Sequence, residues 1–193
     1  IDGDNYERMT NEISKRKGNG YRIDLKKFCC LLADGRTPYD FTCFLSLPPN
    51  PLATHNEEER ALIIETRSRK FGYIKPLRLS GVRVVAVDRE RLYDPKADRA
   101  YTSGYSDVLL WDHALKRLEF FDTLVLVSGD GDFVYLLEIL SEKFNKRVEV
   151  CGTVEYMSGE LQNAAQNFWD LWLLSDEVRL DLKPEGEIAT VHV

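Results

Sequence analysis

The pattern of apolar and polar positions predicts a chain in which strands and helices alternate. Apolar runs typical of strands lie near residue 1 and at 41–47, 81–87, 124–127 and 147–151. Apolar residues spaced three and four apart predict helices over about 6–17, 23–32, 56–70, 106–118, 133–144 and 159–167. This alternation favours a parallel sheet with helices on both faces.

Three stretches fall outside the alternation. Residues 88–105 are polar and highly charged, which predicts a long exposed loop with a short strand near 91–93. Residues 168–174 are strongly apolar and predict a short helix or turn packed on the sheet. Residues 177–182 alternate apolar and charged side chains, a pattern typical of an edge strand.

The clearest candidate for chemistry is the turn that follows the apolar run at 124–127. There Asp130 and Asp132 alternate with Gly129 and Gly131, and a predicted helix follows. In open α/β sheets, ligands bind beyond the carboxyl ends of the strands. Two crowded carboxylates repel each other, and a hard divalent cation relieves that repulsion. The turn therefore predicts a metal site; the alternative is a helix N-terminus that the acids cap.

Two further acidic turns have a similar setting. Asp2 ends the first predicted strand, and Asp4 or Asn5 is expected to cap the helix that follows. Asp107 lies in the first turn of a helix for which Ser106 is the expected cap. In a parallel sheet these turns can converge on one edge, where three or four carboxylates can bind one or two Mg²⁺ or Mn²⁺ ions. Such ions support phosphodiester hydrolysis by activating water and stabilising charge on the phosphate.

The composition limits the class of protein but does not indicate a function. The 193 residues suffice for one α/β domain, and an apolar content of 44% with 30% charged residues is ordinary for a globular protein. No apolar run reaches membrane-spanning length and no signal peptide is visible, although residues upstream of Ile1 are expected because it lies at a strand end. Four cysteines without metal-binding spacing favour a cytoplasmic protein with buried thiols: Cys29, Cys30, Cys43 and Cys151.

The charge is uneven along the chain. The net charge of −6 argues against a protein that simply coats nucleic acid. Between Arg60 and Arg117, however, 13 Lys or Arg residues stand against 7 Asp or Glu residues. An acidic pocket beside a basic middle segment suits a metal-dependent enzyme that acts on a phosphodiester chain, while the alternative is a solvated charged surface.

The order of several short motifs resembles that of NYN domains, the LabA-like branch of the PIN-like metal-dependent nucleases. The motifs are Ile1-Asp-Gly-Asp-Asn5, Ser106-Asp107-Val108, Val127-Ser-Gly-Asp-Gly-Asp-Phe133, Lys146-Arg-Val-Glu-Val150 and Leu161-Gln-Asn-Ala-Ala165. The Ser-Gly-Asp-Gly-Asp-Phe element is the specific part of the resemblance. The family implies an α/β fold, a PIN-like three-layer α/β/α sandwich with a mostly parallel central sheet, here over residues 1–175 and followed by a C-terminal extension at 176–193.

The resemblance also implies an activity and its residues. It implies a metal-dependent endoribonuclease with Mg²⁺ or Mn²⁺ as the cofactor and RNA as the partner, without a membrane partner and with a homodimer as one option. The residues that match the catalytic and metal-binding positions of the family are Asp2, Asp107, Asp130 and Asp132. The expected substrate-binding residues are Asn5, Ser128, Arg89, Arg91, Lys96 and Arg99.

One departure leaves a second function open. The family usually has Lys-Gly before the middle Asp, whereas Ser103-Gly-Tyr-Ser106 stands there in this chain. A cationic phosphate contact is then lost or supplied by the four basic residues named above. The alternative function is a catalytically weak or inactive module that binds RNA or protein and retains the acidic pocket. A third, less favoured alternative is a phosphatase-like or nucleotide-binding α/β protein. The absence of a Walker-type glycine loop argues against nucleotide hydrolysis.

Overall fold

The computed structural model describes residues 1–18, 20–94, 99–103 and 105–180, with the backbone alone for 91–94 and 99–103. The strands are β1 (Thr42–Leu47), β2 (Arg83–Asp88), β3 (Glu90–Asp94), β4 (Arg99–Ser103), β5 (Thr123–Val127), β6 (Arg147–Gly152) and β7 (Asn167–Asp170). The α-helices are α1 (Gly3–Lys17), α2 (Leu25–Ala33), α3 (Glu57–Leu79), α4 (Ser106–Leu115), α5 (Val134–Glu138), α6 (Gly159–Ala164) and α7 (Leu171–Leu174). A π-helical segment, Ile139–Lys143, continues α5, and 3₁₀ turns lie at Leu118–Phe120, Gly131–Phe133 and Val154–Tyr156.

The parallel strands form two groups that the first two residues of the chain connect. β1 pairs with β2, and β5, β6 and β7 pair in that order, all in parallel. The Phe44 amide donates to the Ile1 carbonyl at 2.9 Å, and the Asp2 amide donates to the Val127 carbonyl at 3.0 Å. Ile1 and Asp2 therefore lie between β1 and β5. They connect the two groups, so that β1, β2, β5, β6 and β7 form one mostly parallel arrangement.

Helices cover both faces of this arrangement. Side chains alternate along each strand, so Cys43 and Leu45 of β1 pack with α1, α2 and α3, whereas Phe44 packs with α4, α5 and α6. Leu126 and Val127 of β5 divide between the two faces in the same way. The result is the three-layer α/β/α sandwich that the sequence predicts.

Several elements differ from the sequence expectation for local reasons. α1 begins at Gly3, because the cap is the carboxylate of Asp2 and not Asp4 or Asn5. α3 continues past the expected end near residue 70 to Leu79, and its last turns bury Ile74 and Leu77. α4 begins without a side-chain cap, so the cap expected from the Ser106 side chain is wrong.

The structure also defines the secondary structure of three stretches that the sequence leaves uncertain. The charged stretch at 88–105 contains the antiparallel hairpin β3–β4, whose strands the sequence predicts only in part. The apolar stretch near Phe168 divides into β7, which extends the sheet, and α7, which Asp170 caps. In the C-terminal extension, Arg179 forms an antiparallel bridge with Ile23 and Val178 is buried. Residues 181 and 182 of the predicted edge strand, and residues 183–193 after it, lie outside the described residues.

The other sequence expectations concern thiols and membranes. All four cysteines are free, and three of them are buried: Cys29, Cys43 and Cys151. Within the described ranges, none of the helices combines the length and hydrophobicity that crossing a membrane requires.

Candidate active site

The first acidic turn is held against the sheet by close packing of α1. Asp2 forms a parallel bridge with Phe44 at the carboxyl end of the sheet and is 3% exposed. A Cβ atom at Gly3 would lie 2.7 Å from the Cys43 Sγ atom and 2.8 Å from the Phe44 carbonyl oxygen, so only glycine allows this approach. The buried carboxylate of Asp2 is thereby fixed directly before the first turn of α1.

Ser128 connects Asp2 to the second acidic turn. The Ser128 hydroxyl donates to Asp2 Oδ2 at 2.7 Å and accepts from the Asp130 amide at 3.1 Å. The side-chain amide of Asn5 donates to the same Asp2 oxygen at 2.6 Å, and its backbone amide donates to Oδ1 at 3.2 Å. Asp2, Asn5, Ser128 and Asp130 therefore form one hydrogen-bonded group, although the two turns are far apart in sequence.

The two remaining acids are placed differently. Asp132 is exposed, and its backbone amide donates to Asp130 Oδ1 at 3.0 Å, so Asp130 caps the 3₁₀ turn that follows. Asp107 is half-buried in the first turn of α4, and the Ser106 hydroxyl donates to its Oδ1 atom at 3.4 Å. Asp2 and Asp130 thus have the capping role that the sequence left open, and each is also a candidate metal ligand.

The pKa of Asp107 responds to burial and to the charges of other acids. Burial and the negative charges of Asp2 and Asp130, with a smaller part from Asp4, raise the pKa of Asp107 to about 6. The hydrogen bond from Ser106 opposes this change. Charge therefore couples Asp107 to Asp2 and Asp130, and the Asp132 backbone is joined to Asp130 by a hydrogen bond.

A basic group beside this site neutralises Asp4. Lys70 donates to Asp4 Oδ1 at 2.6 Å and also pairs with Glu7, while the Ser46 amide donates to Asp4 Oδ2 at 3.0 Å. Arg89, a predicted substrate-binding residue, lies 3.5 Å from Asp4 Oδ2. The side chains of the other three predicted cations lie outside the described residues: Arg91, Lys96 and Arg99.

Comparison with known proteins decides the family. The family model of the NYN domain matches residues 1–174. The chain belongs to the NYN domain family. This family is part of the PIN-like nuclease superfamily, whose members typically use divalent metal ions.

The other comparisons provide information about the fold and not about the function. A crystal structure of a Vibrio parahaemolyticus protein of unknown function is 23% identical in sequence, covers 86% of each chain and superimposes with a TM-score of 0.54. No curated protein matches this NYN domain significantly.

The donor chemistry of this NYN domain fits a hard divalent ion. Every candidate ligand is a carboxylate, and Mg²⁺ and Mn²⁺ prefer oxygen ligands. Burial first, and then the negative charges of Asp2 and Asp130, raise the pKa of Asp107, and a bound cation would oppose this rise. In the described part of the chain, no three His, Cys, Asp or Glu side chains are already gathered as a complete metal-binding group. Binding an ion therefore requires the carboxylates to draw closer than the hydrogen bonds of Asp2 and Asp130 now hold them.

Sequence reasoning missed the loop that closes the second acidic turn. A Cβ atom at Gly129 would lie 2.0 Å from the Tyr156 carbonyl oxygen, so the loop after β6 presses directly on the turn. The Arg8 guanidinium lies 4.3 Å from the centre of the Tyr156 ring and brings an exposed cation to the same place. Neither residue lies in a motif of the sequence, because their contact depends on how α1 and β6 pack together.

Proposed function

We propose that this NYN domain is a metal-dependent endoribonuclease that hydrolyses RNA with Mg²⁺ or Mn²⁺ bound by Asp2, Asp107, Asp130 and Asp132. The observation that carries the proposal is the raised pKa of Asp107, to which burial contributes most and the charges of Asp2 and Asp130 contribute next. The charges of carboxylates on three segments that are distant in sequence thus act on one another, near the edge of a parallel sheet where ligands commonly bind. This is the charge arrangement that a divalent ion stabilises.

The residues around the acids then have distinct roles. A bound ion would activate a water molecule and stabilise charge on the scissile phosphate. Ser128 and Asn5 orient the Asp2 carboxylate, because together they donate to both of its oxygens. Since the Ser128 hydroxyl is already committed to Asp2 and Asp130, its role is to brace the acids rather than to bind phosphate.

Two basic side chains are well placed to bind RNA. Arg8 stacks on Tyr156 beside the acidic turn, and an Arg plane or aromatic ring can stack on an unpaired base. Arg89 lies next to Asp4, with 42% of its side chain exposed. Both cations can attract phosphate and offset the repulsion between RNA and an acidic pocket. They also offer a replacement for the lysine that this chain lacks before Asp107.

The decisive experiment measures RNA cleavage in Mn²⁺ and in Mg²⁺ with wild type and two matched variants. Asp130→Asn retains the cap, because asparagine also caps helices well, but removes the charge. Its cleavage rate should fall at least about 100-fold. The control is Asp112→Asn, which changes an exposed acid on α4 that pairs with Lys116 and should leave cleavage unchanged. Cleavage that survives Asp130→Asn would exclude the proposed site.

A second function, RNA binding without cleavage, has one observation in its favour. The family lysine before Asp107 is absent, and Lys70, a cation close to the site, is already paired with Asp4 and Glu7. Anisotropy of a labelled single-stranded RNA measures binding separately from cleavage. Binding that Arg8→Ala weakens, together with no cleavage in either ion, would favour this function over the nuclease.

A further inference from the structure

A cavity of about 290 Å³ lies between α1, the loop that follows β6 and the start of α7. Met9 and Ile13 of α1 line it with apolar side chains that are almost fully buried. Trp172 of α7 also lines it and is 36% exposed, so the cavity can be reached from solvent. This volume is at the lower limit for small-molecule sites, which suits a planar group no larger than one nucleoside.

One polar group in the wall of this cavity has no partner. Thr153 lines the cavity and is 6% exposed, and its hydroxyl finds no hydrogen-bond partner among the described residues. A buried hydroxyl without a partner destabilises a protein, so a ligand that brings a polar edge to this position gains a hydrogen bond. The cavity thus combines apolar surface with an unsatisfied polar group, as small-molecule sites do.

Aromatic rings and cations border the same cavity. Tyr156 lines it, and the Arg8 guanidinium lies 4.3 Å from the centre of the Tyr156 ring. Above the Trp172 ring, Arg16 and Lys17 lie 5.9 Å and 5.0 Å from the ring centre. Proteins that bind single-stranded nucleic acid combine aromatic rings, on which bases stack, with cations that follow the phosphates. The border of the cavity has both components.

Two of these cations are available to a phosphate. Arg8 is exposed and forms no ion pair with any residue that the structure describes. Arg16 pairs with Glu155 at 2.6 Å, but both side chains are about half-exposed, where an ion pair contributes little stability. Arg8 and Arg16 can therefore turn to a phosphate at small cost.

The cavity adjoins the acidic site through the loop after β6. The Tyr156 carbonyl lies against Gly129, and the Ser158 amide donates to the Gly129 carbonyl at 2.9 Å. Along α1, Met9 lies two turns after Asp2, a distance of about 10 Å. An RNA strand with its scissile phosphate at the acids can therefore place a nearby base in the cavity.

We propose that this cavity binds one unpaired base of the RNA strand that the acidic site cleaves. The identity of the strand rests on the proposed function. The base stacks on Trp172 and its polar edge pairs with the Thr153 hydroxyl, while Arg8 binds the phosphate between the cavity and the acidic turn. A hydroxyl both donates and accepts, so it suits the polar edge of any base. The cavity thus fixes the register of the strand without selecting its sequence.

The first test titrates the 193-residue protein with AMP in EDTA and follows its amide signals by NMR. The Thr153 and Trp172 signals should shift together, whereas that of Val85, on β2, should stay in place. Ribose 5-phosphate lacks the base and should shift none of these signals. Trp172→Ala should weaken AMP binding at least about fivefold. Leu173→Ala is the matched control, because Leu173 is 71% exposed and does not line the cavity.

Thr153→Val tests the hydroxyl separately from the fold. Valine has the same shape, and the Thr153 hydroxyl has no partner to lose among the described residues, so the variant should be at least as stable as wild type. AMP binding should nevertheless weaken at least about twofold, because the base loses a hydrogen bond. A merely structural role of Thr153 would leave AMP binding unchanged.

The second test uses RNA and does not depend on cleavage. A labelled single-stranded octamer is bound to the Asp130→Asn protein in Mg²⁺, and each nucleotide in turn is made abasic. Anisotropy should show binding at least about fivefold weaker when the base is missing at one position. If Trp172→Ala is added, the same abasic position should cause no further loss, because base and ring form one interaction.

Two results would overturn the proposal. Equal shifts with AMP and ribose 5-phosphate at Thr153 and Trp172 would show that the cavity does not recognise a base. An abasic scan that Trp172→Ala leaves unchanged would show that no base of the RNA lies on that ring. Failure of the proposed function would be visible elsewhere: wild type would cleave no RNA in Mg²⁺ or Mn²⁺, whatever the AMP titration and the abasic scan show.

Discussion

The buried hydroxyl of Ser128 donates to Asp2 Oδ2 at 2.7 Å, across 126 positions of sequence. The Ser128 hydroxyl oxygen also accepts a hydrogen bond from the Asp130 amide, so one small side chain fixes the spacing of two acidic turns. The two hydrogen bonds of the Ser128 hydroxyl form only while both acidic turns keep their positions. Residues in this hydrogen-bonded group should therefore affect both stability and activity.

Ser128→Ala tests this relationship. The change leaves a buried carboxylate without one of its donors, and we expect a loss of about 1–3 kcal/mol in the free energy of unfolding. RNA cleavage should fall at least about tenfold, because Asp2 and Asp130 lose their common brace. Urea unfolding and a cleavage assay give the two values. Ser141→Ala is the matched control, since Ser141 bonds only the Glu138 carbonyl of its own helical segment and should change neither quantity.

Gly129→Ala tests the close approach of the loop after β6. The added methyl group would lie 2.0 Å from the Tyr156 carbonyl oxygen, so the turn or the loop must move. We expect a loss of about 1–3 kcal/mol in stability, as for other insertions into packed sites. Gly72→Ala provides the opposite control, because nothing lies within 4 Å of its Cβ position in α3. That variant should be stabilised by about 0.5–1 kcal/mol. A Gly129→Ala protein as stable as wild type would contradict the contact.

The sequence predicts where some of these residues lie in the fold but not where others lie. The strand, glycine turn and helix around Asp130 form a local pattern, and the pattern identifies the turn and its place at the sheet edge. The pairing of Lys70 with Asp4 is not local, because it depends on how α3 lies beside α1 in the fold. β7 was missed for a similar reason: its pairing with β6 makes a strand of an apolar stretch that periodicity alone cannot distinguish from a helix.

Glu149 should give the protein a specific sensitivity to acid. It is 2% exposed on β6, where Arg36, Arg147 and Trp169 all donate to its carboxylate. Burial alone raises the pKa of Glu149, but hydrogen bonds from these three residues lower it to about 2. Since this pKa lies below the ordinary value of 4.5, the stabilisation is complete above pH 4.5 and is lost as the pH falls towards 2.

Glu149→Gln should remove this pH dependence. We expect a loss of about 2–3 kcal/mol in the free energy of unfolding at pH 7, because Arg36 and Arg147 lose an anionic partner inside the sheet. Between pH 4.5 and 2, the difference between wild type and variant should shrink. Denaturant unfolding at a series of pH values measures it, with Glu138→Gln, an exposed change, as the control. A constant difference between wild type and Glu149→Gln over that range would show that the charge of Glu149 is not responsible.

Asp107→Asn should stabilise the fold while it abolishes cleavage. Burial and the charges of Asp2 and Asp130 raise the pKa of Asp107 from 3.8 to about 6, so the folded protein holds this proton more tightly than the unfolded chain. The fold is therefore less stable above pH 6 than below pH 4 by this contribution, and the loss develops as the pH rises between the two values. Removing the charge should gain about 1–2 kcal/mol at pH 7 in the absence of metal ions and nothing below pH 4. Unfolding in EDTA at pH 4 and pH 7 measures the gain, and Asp112→Asn should show none. Equal stability of wild type and Asp107→Asn at pH 7 would mean that the acids do not share one space, and the proposed metal site would lose its main support.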